Sequence, residues 1–467
     1  MDYNLLDEPW IPVLYGNGEW RHVGLLEALR DSARIRQIAA NNPMDRVAIL
    51  RFLLAILYWS RGNPPENASE TSGPIFTEEA FAKLETHRNC FNLLGEGKRF
   101  YQDRGASRMR PTTDLIQEIP TGNNFWHFKH STDGQNGLCP VCCVIGLLRL
   151  PLFSVSGLPD LKAGINGTPP IYVVRCGDSL QETLYFNWVT CEKIGQPSWD
   201  KSCPLQDRDP GVPILQGLTL LSRRVFLHPP SNDAVGGCIS CGSVKGPLIR
   251  TCEFQSAGPQ ENPDWTDPHV LYSTETPRKS SKAPDLTAGK KFRMDRPWFD
   301  LLTRMIEMGK LSSQNQSLRF LLVGFATDKA KNIDVWERTL VLPVEFSPSE
   351  VFSIQIEQWK KGNWYLEKSL GRSKTNGPAA ISTIRPHVEN QVSDRLSDLL
   401  GGGEEAWRLA AEEYRPLMKS LARSLSPGFT TEAVALRRKI ARTVPDMTPK
   451  AETPEKKLRI SKKEKKG

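Results

Sequence analysis

Two short stretches, "GLCPVCCVIG" at residues 137–146 and "GGCISCGSV" at 236–244, each carry two cysteines separated by two residues. This spacing lets both sulfurs of one tight turn point at a single centre, and two such turns supply the tetrahedral thiolate set of a structural zinc site. Gly237 and Gly242 flank the second pair and permit the close backbone turn of a zinc knuckle. We therefore predict a structural Zn²⁺ that pins two distant segments together, with the ligands Cys139, Cys142, Cys238 and Cys241.

Other interpretations of the cysteines stay open. A redox pair would begin a helix within a βαβ pattern, and it would not need a second matched pair. Cys143 could replace Cys142 as a ligand, and Cys252 is a distant spare. In a reducing compartment the remaining cysteines predict ordinary core thiols rather than disulfides.

The bulk composition is that of a soluble globular protein, with 467 residues, 39% apolar residues and a net charge of +8. This mild basic excess suits a nucleic-acid partner but does not establish one, because a basic surface that faces solvent explains it too. The N-terminus lacks the basic region of a signal peptide. The most apolar stretch, residues 47–59, is too short to span a bilayer and contains Arg51. We expect a cytoplasmic protein with no membrane partner.

The order of sequence patterns predicts an α+β fold. Residues 1–345 are predicted to form a large, irregular, mixed α/β domain that carries the zinc knuckles. Its predicted elements include a strand at 5–13, a helix opened by Pro43 and ended by Gly62, and strands at "IYVVRC" and "TLYFNWVT". From residue 346 the apolar residues follow helical spacing, and "GGG" and "SPG" separate the later segments. This pattern therefore predicts a four-helix bundle at residues 346–445. The basic composition of residues 446–467 predicts a disordered tail.

Sequence signatures of catalysis are scarce. The chain has no GxxxxGK[ST] phosphate loop, no HExxH and no G-x-S-x-G elbow. Only His127 and His130 lie at a metal-ligand spacing from each other. These observations favour a protein that is not an enzyme. The alternative is a zinc-containing, metal-dependent nuclease or another nucleic-acid-processing enzyme, because catalytic carboxylates need not be close in sequence.

Three segments have the composition of nucleic-acid contacts, although none is specific alone. "FWHFKHST" at 125–132 mixes aromatic and basic residues, and would otherwise be an apolar turn beside the zinc. "SGLPDLKAGINGTPP" at 156–170 has glycines that allow a close approach to a groove, or it is a plain connection. "GFATDKAKNID" at 324–334 is a charged hairpin tip that could wedge between base pairs or simply face solvent.

Taken together, these features resemble a known family. The opening "NLLDEPWIPV", the segment "GLCPVCC" with the later "GINGTPP", the second knuckle "GCISCG" and the C-terminal helices are similar to CasA proteins. These proteins are the large subunits of the type I-E CRISPR surveillance complex, Cascade. The resemblance covers nearly the whole chain, and it implies an α/β domain with zinc on two cysteine pairs, a four-helix bundle and no catalysis.

The resemblance also implies a role and partners. Such a subunit would join other Cascade subunits and a guide RNA, and would read the protospacer-adjacent motif in target double-stranded DNA. It would help to open the duplex for R-loop formation and would recruit a helicase–nuclease. The rest of the target would be recognised by base pairing with the guide RNA.

Three groups of nucleic-acid-binding residues follow from the same resemblance. The loop before the first cysteine pair, which contacts DNA and the guide, corresponds to Phe128, Lys129 and His130. The glycine loop that approaches the minor groove corresponds to Gly157, Lys162 and Gly164. The wedge that splits the first base pair beyond the motif corresponds to Asp328, Lys329 and Ala330.

Overall fold

The computed structural model describes a large part of the chain. The described residues are 2–65, 73–105, 108–119, 137–154, 164–166, 170–200, 211–230, 237–244, 246–257, 265–274, 286–288, 305, 318–328 and 331–342. The chain divides into two compact units, Met1–Met294 with Arg319–Leu340, and Asp295–Leu318 with Val341–Gly467. The predicted bundle at 346–445 and the tail at 446–467 lie outside the described residues, so they and the boundary at 345 stay predictions.

Six α-helices are described in the first unit. They are α1 (Leu25–Arg30), α2 (Pro43–Arg61), α3 (Glu78–Thr86), α4 (Pro140–Phe153), α5 (Leu180–Asn187) and α6 (Ile214–Thr219). Helix α2 confirms its prediction from sequence: the side chain of Asn42 accepts a hydrogen bond from the amide of Met44 at 2.8 Å, and Pro43 occupies the first turn. Gly62, with φ of 78°, ends the helix in a conformation that other residues rarely adopt.

The described strands form four small sheets rather than one large one. The strands are β1 (Tyr3–Asn4), β2 (Ile11–Tyr15), β3 (Trp20–Val23), β4 (Ile35–Ile38), β5 (Asn92–Leu94), β6 (Met109–Pro111), β7 (Ile171–Cys176), β8 (Arg223–Leu227), β9 (Thr251–Ser256), β10 (Val270–Thr274), β11 (Leu286–Ala288), β12 (Leu318–Asp328) and β13 (Lys331–Leu342). Their orders are β1-β5, β3-β2-β4, β6-β9-β8 and β11-β10-β7-β12-β13. The predicted irregular mixture of helices and sheets is thus confirmed.

The core of the first unit surrounds α2. This helix is buried along nearly its whole length, since it packs against α4 and α6 among other elements. An aromatic cluster lies on one side, where Phe52 makes edge contacts with Phe100 at 5.3 Å and Trp199 at 5.5 Å between ring centroids. The apolar run at 47–59 therefore lies within the predicted helix and forms the centre of the core of this unit.

Two sequence predictions of strands need correction. "TLYFNWVT" was predicted as a strand from its alternation, but residues 180–187 form α5. The Ser179 hydroxyl accepts from the amide of Glu182 at 3.2 Å, and the Glu182 carboxylate accepts from the amide of Asp178 at 2.7 Å. This reciprocal cap favours a helix over the pattern of alternating residues.

The predicted first strand at 5–13 is also shorter than expected. Strand β2 begins only at Ile11, because the preceding residues turn to cap another element. The carbonyls of Leu5 and Leu6 accept from the amides of Leu25 and Leu26, both at 3.0 Å, at the start of α1. The opening segment thus satisfies amides of a helix N-terminus that have no partner within the helix.

Candidate metal centre and nucleic-acid interface

The first cysteine pair is positioned by the start of α4. Cys139 is the N-cap residue, Pro140 is the first helical residue, and Cys142 follows within the first turn. The backbone amide of Cys139 donates to the sulfur of Cys238 at 3.3 Å, so the helix start faces the second pair directly. A CxxC at a helix start is one feature of a redox pair. The position of the second cysteine pair therefore distinguishes a metal site from a redox pair.

The four predicted ligands come together. The sulfur atoms of Cys139, Cys142, Cys238 and Cys241 all lie within 4.8 Å of one another. The Cys139 and Cys241 sulfurs are 3.7 Å apart, and Cys241 alone of the four is exposed. Cys143 lies outside this cluster, with its sulfur 4.0 Å from the carbonyl oxygen of Leu138. The four sulfurs fit a metal ion with tetrahedral coordination. Sulfur would fill all four positions around the ion, so none is left for a reacting water.

Backbone hydrogen bonds join the same two segments. Leu138 and Ile249 exchange amide–carbonyl bonds of 3.0 and 2.9 Å, and the amide of Ile239 donates to the carbonyl of Gly137 at 3.1 Å. In the second knuckle, the amide of Gly242 donates to the carbonyl of Cys238 at 2.8 Å, and Gly242 has φ of 74°. The fold therefore aligns the two turns through the main chain as well as through sulfur.

The thiols differ in how readily they ionise. Hydrogen bonds with the sulfurs of Cys139 and Cys238, together with burial, hold the pKa of Cys142 well above its ordinary value. Hydrogen bonds from Cys139 and Cys142 lower the pKa of Cys238. The Cys238 thiol therefore loses its proton readily, whereas the Cys142 thiol keeps its proton. A divalent cation would remove this conflict, because it binds all four sulfurs as thiolates.

Most of the predicted nucleic-acid residues lie outside the described residues. This group comprises Phe128, Lys129, His130, Gly157, Lys162, Lys329 and Ala330. Asp328 is the last residue of β12. Gly164 is described and buried, and its amide donates to the carbonyl of Ser154 at 3.4 Å. A Cβ on Gly164 would lie 2.9 Å from the carbonyl oxygen of Pro151, so packing against α4 accounts for a glycine there.

The described residues on either side of 120–136 are firmly held. On one side Arg149 of α4, which is 3% exposed, forms ion pairs with Glu118 and Asp45. On the other side, Gly137 belongs to the cysteine cluster's backbone network. The Arg149 cluster was not predicted, because nothing in the local pattern pairs an arginine in an apolar helix with Glu118. An arginine inside such a helix was the only available signal.

In the described ranges, the cysteine cluster is the sole group with three or more histidine, cysteine or acidic side chains close enough to share a metal ion. No helix of the described part has the length and apolar character needed to cross a bilayer.

Comparison with known proteins gives consistent results. Residues 4–447 match the family model of CRISPR-associated protein Cse1. The CRISPR-associated protein CasA/Cse1 of Thermus thermophilus is 32% identical over 200 residues, which is 40% of this chain and 39% of that protein. The chain thus aligns with less than half the length of this curated relative.

Solved structures show the same fold over nearly the whole chain. Thermus thermophilus CasA has a TM-score of 0.70 at 18% identity, covering 95% of this chain and 99% of that one. Thermobifida fusca Cse1 has a TM-score of 0.68 at 17% identity, covering 96% and 99%. A chain of a CRISPR RNA-guided surveillance complex has a TM-score of 0.69 at 15% identity, covering 95% and 99%. The family match over most of the chain confirms the resemblance found in the sequence: this protein belongs to the CRISPR-associated Cse1 family, whose members are also called CasA.

Proposed function

We propose that this protein is the non-catalytic large subunit of a type I-E CRISPR surveillance complex, acting in the cytoplasm. It reads the protospacer-adjacent motif in duplex DNA, helps to open the duplex for R-loop formation and recruits the helicase–nuclease. Its partners are the other Cascade subunits, the guide RNA and the target duplex. The observation that carries this proposal is the family match over residues 4–447. The shared fold with a chain of an RNA-guided surveillance complex supports it.

The ion of the cysteine cluster is proposed to be structural Zn²⁺. Cys139, Cys142, Cys238 and Cys241 would hold it, and their mutual distances of at most 4.8 Å suit one shared ion. Its role would be to join the start of α4 to the second knuckle. Metal analysis of the purified protein tests this assignment, and iron in place of zinc would contradict it.

The β12–β13 hairpin supports the wedge assignment. Strand β12 ends at Asp328 and β13 begins at Lys331, so the chain between these strands consists only of Lys329 and Ala330. The body of the hairpin is fixed, since β12 pairs with β7 and Glu337 of β13 forms an ion pair with Arg46 of α2. A basic residue between two anchored strands is suited to entering a duplex.

The free energy needed to read the motif and open the duplex is modest. The minor groove presents a degenerate pattern, so a minor-groove reader should accept several related motifs. Opening the first base pairs costs only a few kcal/mol, and pairing with the guide then compensates for the lost DNA pairing. One subunit therefore needs few cationic contacts, in agreement with a net charge of only +8.

The decisive experiment compares guide-loaded complexes assembled with and without this chain. Binding of a target duplex is measured while the bases flanking the target are permuted. We expect tight binding to need the chain and to depend on the flanking bases. Binding that is unchanged without the chain would contradict the proposal. Cleavage of DNA by the purified chain with Mg²⁺ or Mn²⁺ would instead favour the nuclease alternative.

Substitution of Lys329 tests duplex opening separately from binding. We expect Lys329→Ala to slow R-loop formation more than it weakens initial binding of the duplex. Lys331→Ala removes an equal charge two residues away and is the matched control, with a smaller effect on R-loop formation. Equal losses of binding and opening by Lys329→Ala would show that the residue is a plain phosphate contact.

A further inference from the structure

The second cysteine turn is open to solvent on one side. Among the cysteines of the described residues, Cys241 is the exposed one. A Cβ added at Gly242 would meet nothing within 4 Å, and Val244 is 79% exposed. The Cys241 side of the cluster is therefore the side that a small dissolved molecule can reach.

The other three sulfurs of the cluster are shielded. Cys139, Cys142 and Cys238 are between 2% and 6% exposed. They lie where the start of α4 meets the second turn, and the backbone bonds between these segments close the cluster on that side. A reagent that enters from solvent therefore meets Cys241 first.

A partner for Cys241 lies across the cluster. The Cys241 sulfur is 3.7 Å from the sulfur of Cys139, which belongs to the other turn and lies 102 positions away in the sequence. A disulfide bond is about 2.05 Å long, so the two sulfurs need to approach each other by less than about 2 Å. A bond between them would link the two turns covalently.

The described cysteines outside the cluster are poorer targets for oxidation. Cys90, Cys176 and Cys191 are partly exposed, but burial raises the pKa of each thiol. Burial also raises the pKa of Cys143, and it raises that of Cys252 to about 12. These residues are therefore thiols at neutral pH, whereas the thiolate is the form that reacts. A bound metal ion would keep the sulfurs of the cluster as thiolates.

We propose that Cys241 is a site of oxidation by peroxides, and that the product is a disulfide between Cys241 and Cys139. The Cys241 thiolate attacks one oxygen of hydrogen peroxide, so that an S–O bond forms, the O–O bond breaks and hydroxide leaves. The Cys139 thiolate then attacks the Cys241 sulfur, so that the S–S bond forms, the S–O bond breaks and a second hydroxide leaves. The two sulfurs together lose two electrons, which the peroxide gains.

Oxidation would replace one link between the turns by another. Only Cys142 and Cys238 remain as ligands, and two sulfurs do not complete a structural zinc site, so the metal is released. The new disulfide still joins the start of α4 to the second turn. The cluster is thus a redox-sensitive metal site that keeps its two turns together when the metal is lost. This inference rests on the proposed Zn²⁺ and not on the proposed recognition of DNA.

The experiment uses the purified whole chain, with its metal content measured first. Hydrogen peroxide is added, zinc release is followed with a chromogenic chelator, and disulfides are mapped by mass spectrometry of peptides that have not been reduced. We expect zinc release to accompany a Cys139–Cys241 disulfide, and a thiol reductant with added zinc to reverse both changes. A disulfide within one turn, or zinc release without a disulfide, would overturn the proposal. A purified chain without metal would refute the zinc assignment, and its disulfides would still show whether Cys139 pairs with Cys241.

The variant Cys241→His separates oxidation from the loss of a ligand. Three cysteines and a histidine also form a zinc site, so this variant should retain the metal. It has no oxidisable sulfur at the exposed position and should release zinc at least about tenfold more slowly in peroxide. Cys191→Ser is the matched control, because it removes a partly exposed thiol outside the cluster and should leave the rate unchanged. Equal rates in wild type and Cys241→His would overturn the proposal, and the wild-type disulfide map decides it if Cys241→His does not fold.

Hydrogen exchange tests whether the disulfide keeps the two turns together. The reporter is the amide of Ile239, which donates to the carbonyl of Gly137 at 3.1 Å. Its exchange should stay slow in the oxidised protein but become at least about tenfold faster in the reduced, metal-free protein. Equally fast exchange in both forms would show that the disulfide does not replace the metal, and would overturn the proposal.

The core supplies an internal control that contains no cysteine. Nη1 of Arg51, on α2, donates to Asp267 Oδ1 at 2.8 Å, and Nδ2 of Asn166 donates to Asp267 Oδ2 at 3.0 Å. All three residues are buried, and the amide of His269 donates to Asp267 Oδ1 at 2.9 Å. Exchange of the His269 amide should be the same in the metal-bound, oxidised and metal-free forms. Faster exchange of this amide after oxidation would mean that peroxide unfolds the whole unit, and would overturn a local effect at the cluster.

Discussion

The cysteine cluster and the Arg51–Asp267 pair both join distant parts of the chain, but they do so by different chemistry. The cluster brings together four sulfurs from residues about a hundred positions apart, and its thiols resist joint ionisation without a cation. The pair joins α2 to a segment 216 residues away and supplies both of its own charges. The cluster could hold an added ion, whereas the pair is complete within the polypeptide.

This difference bears on two of the three predicted nucleic-acid segments, those at 125–132 and 156–170. The cluster holds the chain that follows 120–136, whereas Asn166 on the Arg51–Asp267 pair holds the chain that follows 155–163. Metal removal should therefore weaken the anchoring of Gly137 and spare that of Asn166. Loss of the ion pair should do the reverse, with the metal retained.

The largest expected effect is that of removing a metal ligand. Cys238→Ser should abolish stoichiometric zinc binding and lower stability by several kcal/mol, because structural zinc contributes folding free energy directly. Metal analysis and thermal unfolding measure both effects. Cys143→Ala is the control: it truncates a buried thiol next to the cluster but should retain the metal. Loss of zinc from the control and its retention in Cys238→Ser would contradict the assigned ligands.

Breaking the ion pair should have the next largest effect. Asp267→Asn leaves the Arg51 cation buried without its counter-ion, which costs about 3–5 kcal/mol in comparable sites. Zinc content should not change. The exposed pair of Arg34 and Asp31, at 3.4 Å, provides the control, and Arg34→Ala should cost under about 1 kcal/mol. Chemical denaturation measures both losses, and similar values would show that burial does not strengthen the Arg51–Asp267 pair.

The smallest effect is a pH dependence of the same pair. The pKa of Asp267 is about 2 in the folded protein and near 3.8 when unfolded, so its stabilisation is present above about pH 4 and is lost as the pH falls toward 2. The stability advantage of wild type over Asp267→Asn should therefore shrink by about 2 kcal/mol between pH 5 and pH 2. Any release of metal in acid affects wild type and Asp267→Asn alike, so it cancels in the difference between their stabilities. A stability advantage that stays constant between pH 5 and pH 2 would contradict a pKa of about 2 for Asp267.

Local patterns were sufficient for features that short stretches of chain decide. The spacing of the cysteines predicted that the two pairs come together, and Pro43 and Gly62 predicted the bounds of α2. The alternation at 183–190 was misleading, because a strand and a short helix can bury the same residues and the cap at Ser179 decides between them. The bundle and the proposed nucleic-acid contacts stay predictions.

The sequence by itself determined the resemblance to the family, the two CxxC pairs and the central helix, since short stretches of chain carry each of these features. Only the tertiary structure decided that Cys142 rather than Cys143 joins the cluster, and that Asn166, Asp267 and Arg51 form one buried network. Asn166 and Asp267 are 101 residues apart, and Arg51 and Asp267 are 216 apart. A polar residue gives no local sign of a partner at such a distance, because burial and pairing are decided only when the helices and sheets pack.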